Sequence, residues 1–196
     1  MTLRRGQTML ELIFAIAVIG VGLLAATTLV FYNLMLSDRD KTEITAVNLA
    51  REGLELAKNK RDSNWLAGAA FDAGMYSGTD YTGTWVWTGW PGTSAYVDFT
   101  ANDFSDPRTK VMLSDAASAP DFMVNWNTFI TGTTSTFSRL MTFNGICANG
   151  SVVGAGVSCA GLGSTKIGIR AIAEVRWTLK NAVKQISMTS DLYDWR

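Results

Sequence analysis

Between Leu12 and Ser37 the chain runs 26 residues without a charge. As an α-helix at ~1.5 Å per residue, that stretch is about 39 Å long, against a bilayer hydrocarbon core of roughly 30 Å. The segment can span a membrane, and this limits every reading of the residues on either side. Arg4 and Arg5 stand just before it. Basic residues hold their end of a span in the cytoplasm, so the chain after Ser37 is expected outside, past a mixed flank of Asp38, Arg39, Asp40 and Lys41. Ala15-Ile16-Ala17 offers a match to a secretory cleavage site, but too few apolar residues precede it and the apolar run continues well beyond.

Glu11 sits at the very start of the run. An acidic side chain costs roughly 2.5–3.5 kcal/mol at a membrane centre and less near the interface, so an acid held there calls for a cationic partner.

The remaining composition narrows the function. With 196 residues, 47% of them hydrophobic and 17% charged, the chain can bury one good-sized core. Seventeen basic and seventeen acidic residues cancel, and neither sign forms a long run, so a dedicated nucleic-acid binder is not indicated. There is no histidine, which removes the commonest general base and the commonest metal ligand. An extracytoplasmic enzyme would need a pair of carboxylates, and no spacing selects one. The expected catalytic, cofactor and metal sets are therefore all empty.

Beyond the membrane, Ile44, Val47, Leu54 and Ala57 recur at helical intervals, and Arg51, Glu55 and Lys58 are spaced for surface pairs. This predicts one helix from about Thr8 to Asn59. From Trp65 onward the composition turns to Gly, Thr, Ser, Asp and aromatics. Strands are expected at Thr84–Trp90, Ala95–Thr100 and Phe137–Phe143, with loops over the rest of the middle. The strongest alternation lies in Lys166–Lys180, where Ile167, Ile169, Ala171, Ala173, Val175, Trp177 and Leu179 share one face and Ile172 is the exception. A turn near Asn181 would return a strand over Val183–Thr189, and Asp191 to Trp195 would close the chain. The fold class is thus α+β: a long N-terminal helix, transmembrane in its first half, packed by its second half on a C-terminal antiparallel sheet of four to six strands.

Cys147 and Cys159 are separated by eleven residues, and a domain outside the cell is oxidised, so a disulfide between them is expected. Further soft ligands for a metal are missing nearby. Of the seven tryptophans, Trp85, Trp87 and Trp90 lie close together and, if exposed, would suit stacking on sugars or bases. Trp85 and Trp87 share a strand face opposite Val86, an arrangement that core packing also requires, and Trp90 beside Pro91 is the candidate for exposure. Asp98, Asp103 and Asp106 lack the ordered spacing of a calcium loop. Gly154-Ala155-Gly156 and Gly161-Leu162-Gly163 flank Cys159 and lead toward a strand, unlike a phosphate loop. Asn149-Gly150-Ser151 fits an N-glycosylation acceptor.

The segment Arg5-Gly6-Gln7-Thr8-Met9-Leu10-Glu11-Leu12-Ile13 resembles the processing site of type IV prepilins and type II secretion pseudopilins. More loosely, Ala50-Arg51-Glu52-Gly53-Leu54-Glu55, followed by Arg61-Asp62-Ser63-Asn64-Trp65, resembles many pilin-like subunits. The resemblance implies a leader over residues 1–6, cut between Gly6 and Gln7 by a prepilin peptidase. Residues 7–37 would form a filament-core helix, 38–62 its amphipathic continuation and 63–196 an extracellular β-rich head. Glu11 becomes the fifth mature residue, placed to neutralise the new amine of Gln7 on a neighbouring subunit inside a dry bundle. Gln7 stands where the family usually has phenylalanine, and Thr28 where many major pilins carry a helix-bending proline; with the aromatic head, this leans toward a minor pilin or pseudopilin. The implied partners are other subunits, the peptidase, an inner-membrane assembly platform and membrane lipid. The implied location is the inner membrane before assembly and an extracellular or periplasmic filament afterwards. The other reading is a permanently N-anchored extracellular binding module, lectin- or adhesin-like, with the tryptophans as its site.

Overall fold

The computed structural model describes residues 4–75, 81–87, 95–114, 123–125, 132–154 and 156–195. The chain falls into two compact units, Met1–Glu43 and Ile44–Arg196. One helix, α1 (Arg4–Leu66), contributes to both.

In the second unit α1 packs against an antiparallel sheet, giving the α+β arrangement expected. The helix continues past Asn59 because Asn64 and Trp65 are core residues. It ends in a Schellman turn: Gly68 takes a left-handed φ of 69°, its N–H bonds to the Trp65 carbonyl, and the Ala69 N–H bonds to the Asn64 carbonyl. The Asn64 side chain secures the next turn by donating to the carbonyls of Phe71 and Ala73.

Among the described residues the sheet has eight strands rather than four to six: β1 (Thr82–Trp87), β2 (Ala95–Asp98), β3 (Lys110–Ser114), β4 (Met123–Asn125), β5 (Gly132–Cys147), β6 (Val152–Val153), β7 (Lys166–Leu179) and β8 (Ala182–Tyr193). The long β5 is the spine. One edge pairs with β7 from Phe137 to Cys147. Its other edge is shared in turn by β3, β1 and β6. β4 and β2 extend β3 and β1.

Expected and observed strands differ at their ends for local reasons. The strand begun at Ala95 stops at Asp98, whose carboxylate accepts from the Thr100 N–H and hydroxyl and turns the chain. β5 extends beyond Phe137–Phe143 in both directions because its polar start pairs with β3 and its end with β6 and β7. β8 continues past Thr189 to Tyr193, since Leu192 opposite Ile169 is buried in the core. Lys180 and Asn181 both have left-handed φ, 48° and 64°, and form the two-residue turn of the β7–β8 hairpin. On β7 the alternation holds from Ile169 to Trp177, with Ile169, Ala171, Ala173, Val175 and Trp177 buried and Ile172 on the other face, but at the strand's ends Ile167 is exposed and Leu179 half-buried.

The helical stripe that meets the sheet includes Leu54 and Ala57 as expected, with Val47 half-buried, but not Ile44, which is exposed. Ala46, Leu49 and Ala50 are buried beside them. The sheet comes closest at Gly53. A side-chain carbon at Gly53 would lie 2.8 Å from the Met141 sulfur and 3.6 Å from the Ala173 Cβ, so the glycine makes room for the approach.

Candidate functional site

Taken alone, the first unit is a helix without a core. Every large apolar side chain from Met9 to Leu36 is exposed, including Phe14 and Phe31. The helix is long and apolar enough to cross a membrane, which makes it a candidate membrane span. Thr27 bonds its hydroxyl to the carbonyls of Leu23 and Leu24, and Thr28 bonds to Leu24 at 2.8 Å. Both hydroxyls are therefore satisfied by the helix itself and add little polarity to its surface.

Gly6 and Gln7 lie near the start of α1, and Glu11 follows on the exposed helix. The side chains of Arg4, Arg5 and Gln7 fall outside the described residues. Glu11 is exposed, and among the described residues no ion pair involves it.

Cys147 and Cys159 form the expected disulfide, with their Cα atoms 5.4 Å apart. Cys147 ends β5, and with Val153 the pair forms a small buried cluster separate from the main core. The loop is also tied to β1's approach, because the Gly156 N–H donates to the Tyr81 hydroxyl at 2.8 Å. Asn149 sits in an exposed tight turn at the start of this loop, its side-chain oxygen accepting from the Ser151 N–H.

The aspartates do converge, on an arginine. Arg108 forks onto both carboxylate oxygens of Asp106, at 3.0 and 2.6 Å, and reaches Asp98 at 2.8 Å. Its side-chain hydrogen bonds hold the Asp106 carboxyl below the usual range. Asp103 instead accepts from the Ser105 N–H. The guanidinium supplies the positive charge between Asp98 and Asp106, and among the described residues no cluster of three potential metal ligands occurs.

Trp85 is fully buried, and its indole N–H reaches the Gly53 carbonyl at 3.3 Å. Val86, assigned to a second face, is buried too, so both faces of β1 are covered there. The Trp87 side chain and all of Trp90 lie outside the described residues. Among the described side chains the exposed tryptophan is Trp195, which meets Trp65 edge-on with ring centroids 4.3 Å apart.

Two positions at the helix–sheet contact escape a reading by composition. Arg139, fully buried on β5, donates to the Leu49 carbonyl at 2.9 Å and pairs with Glu52 at 3.2 Å. Its signal was a lone charge on the inward face of Phe137-Ser138-Arg139-Leu140-Met141-Thr142-Phe143. Gly53 was visible only as a glycine inside a helical pattern. Far from both in sequence, Lys166 at the start of β7 pairs with the buried Asp72 in the turn after α1.

The chain was compared with family models, curated proteins and solved structures, and none of the three comparisons gives a match.

Proposed function

We propose that this chain is a structural subunit of a type IV pilus-like or type II secretion-like filament. It would be cut after Gly6, stored in the membrane by α1 and stacked through that helix. The observation that carries the reading is an exposed apolar helix whose acid, Glu11, stands five residues beyond an Arg-Gly step. In a bilayer, lipid covers the helix; in a filament, copies of the same helix do so. Glu11 then neutralises the amine of Gln7 on a neighbour, and the carboxylate's desolvation is offset by that pairing. The disulfide-bonded head remains outside and forms the filament surface, with the cytoplasmic end held by Arg4 and Arg5 until processing.

The competing reading, an anchored binding module built on tryptophans, loses one of its three candidate rings to the core, since Trp85 is inaccessible. In the proposed reading the role of the chain is mechanical.

Shearing of host cells tests this function. Wild-type chain is expected in the pelleted extracellular fibres, and Glu11→Gln is expected in the membrane fraction with at least about a tenfold loss from the fibres, as neutralisation of a buried amine is removed. Wild-type chain confined to the membrane under conditions where fibres form would overturn the proposal.

A further inference from the structure

β8 differs from the other boundaries of the sheet. On the far side of β5 the edge is divided among short strands, ending in β4 with three residues and β2 with four. On the near side β8 runs twelve residues, pairs with β7 from end to end without a register shift, and among the described residues pairs with no other strand. It contains neither proline nor glycine. Natural sheets usually blunt such an edge with a bulge, a proline or a short strand, because its unpaired N–H and C=O groups template another strand.

The hairpin fixes which groups face outward. A two-residue turn makes Leu179 and Ala182 a hydrogen-bonded pair, so every second residue from Ala182 to Leu192 bonds to β7. The Asp194 N–H bonding to the Ile167 carbonyl continues the same phase. Val183, Gln185, Ser187, Thr189, Asp191 and Tyr193 are left presenting their backbone groups to the edge.

This set is complementary to itself. A second β8 laid antiparallel, with a twofold axis at Met188, puts Val183 opposite Tyr193, Gln185 opposite Asp191 and Ser187 opposite Thr189, each twice. Val183 and Tyr193 are the exposed large apolar side chains of this strand, at 69% and 45%, and each covers the other. No like charges face one another. The registers on either side put Val183 opposite Asp191, or Tyr193 opposite Gln185. On the other face of the strand, Ile186 and Met188 are half-buried at the border of the core, and a second copy of the same strand extends that core over them.

We propose that β8 is a site of homotypic strand addition, where a second copy of this chain pairs β8 to β8 about Met188 and joins two heads through one continuous sheet. The contact is isologous and closes on itself, so it links pairs of heads. It holds for an anchored head whether or not the chain enters a filament.

Site-specific crosslinking of the full-length chain in detergent tests this. Across the twofold, Met188 meets its own copy in a non-hydrogen-bonded pair, with Cα atoms about 4.5 Å apart, within reach of a disulfide. Cys147 and Cys159 are already bonded to each other, and no other cysteine is present. Met188→Cys is expected to give a reducible dimer on mild oxidation. Ile186→Cys and Ser190→Cys are each expected to stay single, and to crosslink only when mixed. Thr189→Pro, added to Met188→Cys, removes an outward N–H and spares the bonds to β7, so the dimer should fall about tenfold with thermal unfolding little changed. If that variant does not fold, Ser187→Lys with Thr189→Lys, both exposed, places like charges opposite each other and should do the same. Absence of the Met188→Cys dimer, a dimer indifferent to these substitutions, or crosslinking by Ile186→Cys alone would each overturn the proposal.

Discussion

From Met9 to Leu36, α1 exposes every large apolar side chain it has, whereas from Ala46 to Trp65 the same helix buries a stripe of Ala46, Leu49, Ala50, Gly53, Leu54, Ala57 and Trp65. Side-chain size alone does not account for the contrast. Leucines, isoleucines and phenylalanines lie bare in the first segment, which taken by itself has no core among the described residues. Within the second segment the sheet comes closest at Gly53, where an added side-chain carbon would lie 2.8 Å from the Met141 sulfur. One helix thus carries two kinds of apolar surface: one buried in the head, and one exposed on a candidate membrane span.

The sharpest way to break this comparison is to make the same truncation in both segments. Leu54→Ala is expected to destabilise the head by about 3 kcal/mol, as buried leucine truncations do. Leu24→Ala should leave the head's unfolding unchanged. Urea unfolding of the full-length chain in detergent, followed by tryptophan fluorescence, distinguishes the two, and equal losses would show that the exposed segment is packed after all.

A loss of similar size is expected from replacing Cys147 and Cys159 together with alanine. In the chain-entropy model a loop this short contributes on the order of 3 kcal/mol, and the same unfolding midpoint reports it. An unchanged midpoint would remove the disulfide from the account of head stability.

Gly53→Val is expected to cost about 2 kcal/mol by overpacking against Met141 and Ala173. Gly22→Val, where an added carbon meets nothing within 4 Å, should leave head stability unaffected. A tolerated Gly53→Val would mean that the sheet can withdraw from the helix.

The smallest effect is that of acid. Hydrogen bonds from Arg108 and Arg170 hold Asp106 and Asp191 below the ordinary carboxylate range. For carboxyls depressed in the folded state, the stabilisation is fully present above the unfolded value of about 3.9 and is lost as pH falls through the folded values. The melting temperature should therefore be insensitive to these two groups near neutrality and fall below about pH 4. Asp191→Asn should flatten part of that fall, and a variant with the same acid limb as wild type would contradict the assignment.

What could be read from the sequence follows the strength of its periodic patterns. The uncharged run and the alternation of β7 are long enough that one face is decided many times over. β3 and β6 are too short for a period to register; their strand character comes from pairing with the polar start and the end of β5. On α1 helical spacing marks Leu54 and Ala57, which are buried, together with Ile44, which is exposed; how closely the sheet approaches at Gly53 is not visible in spacing. Arg139 buried under a helix needs the Leu49 carbonyl and Glu52, 90 and 87 residues earlier in the chain, to make sense. Of the proposed functional residues, Gly6, Gln7 and Glu11 are legible only as a local motif, whereas the Cys147–Cys159 pairing is legible from a cysteine count of two and the oxidising location expected for the head.

The central claim, that the exposed half of α1 is a processed assembly element, is tested most directly by intact-protein mass spectrometry. The chain would be co-expressed with a prepilin peptidase, wild type beside Gly6→Ala. The account predicts loss of Met1 to Gly6 in the wild type alone, leaving Gln7 as the first residue; a full-length N-terminus in both would contradict it and favour a permanently anchored head.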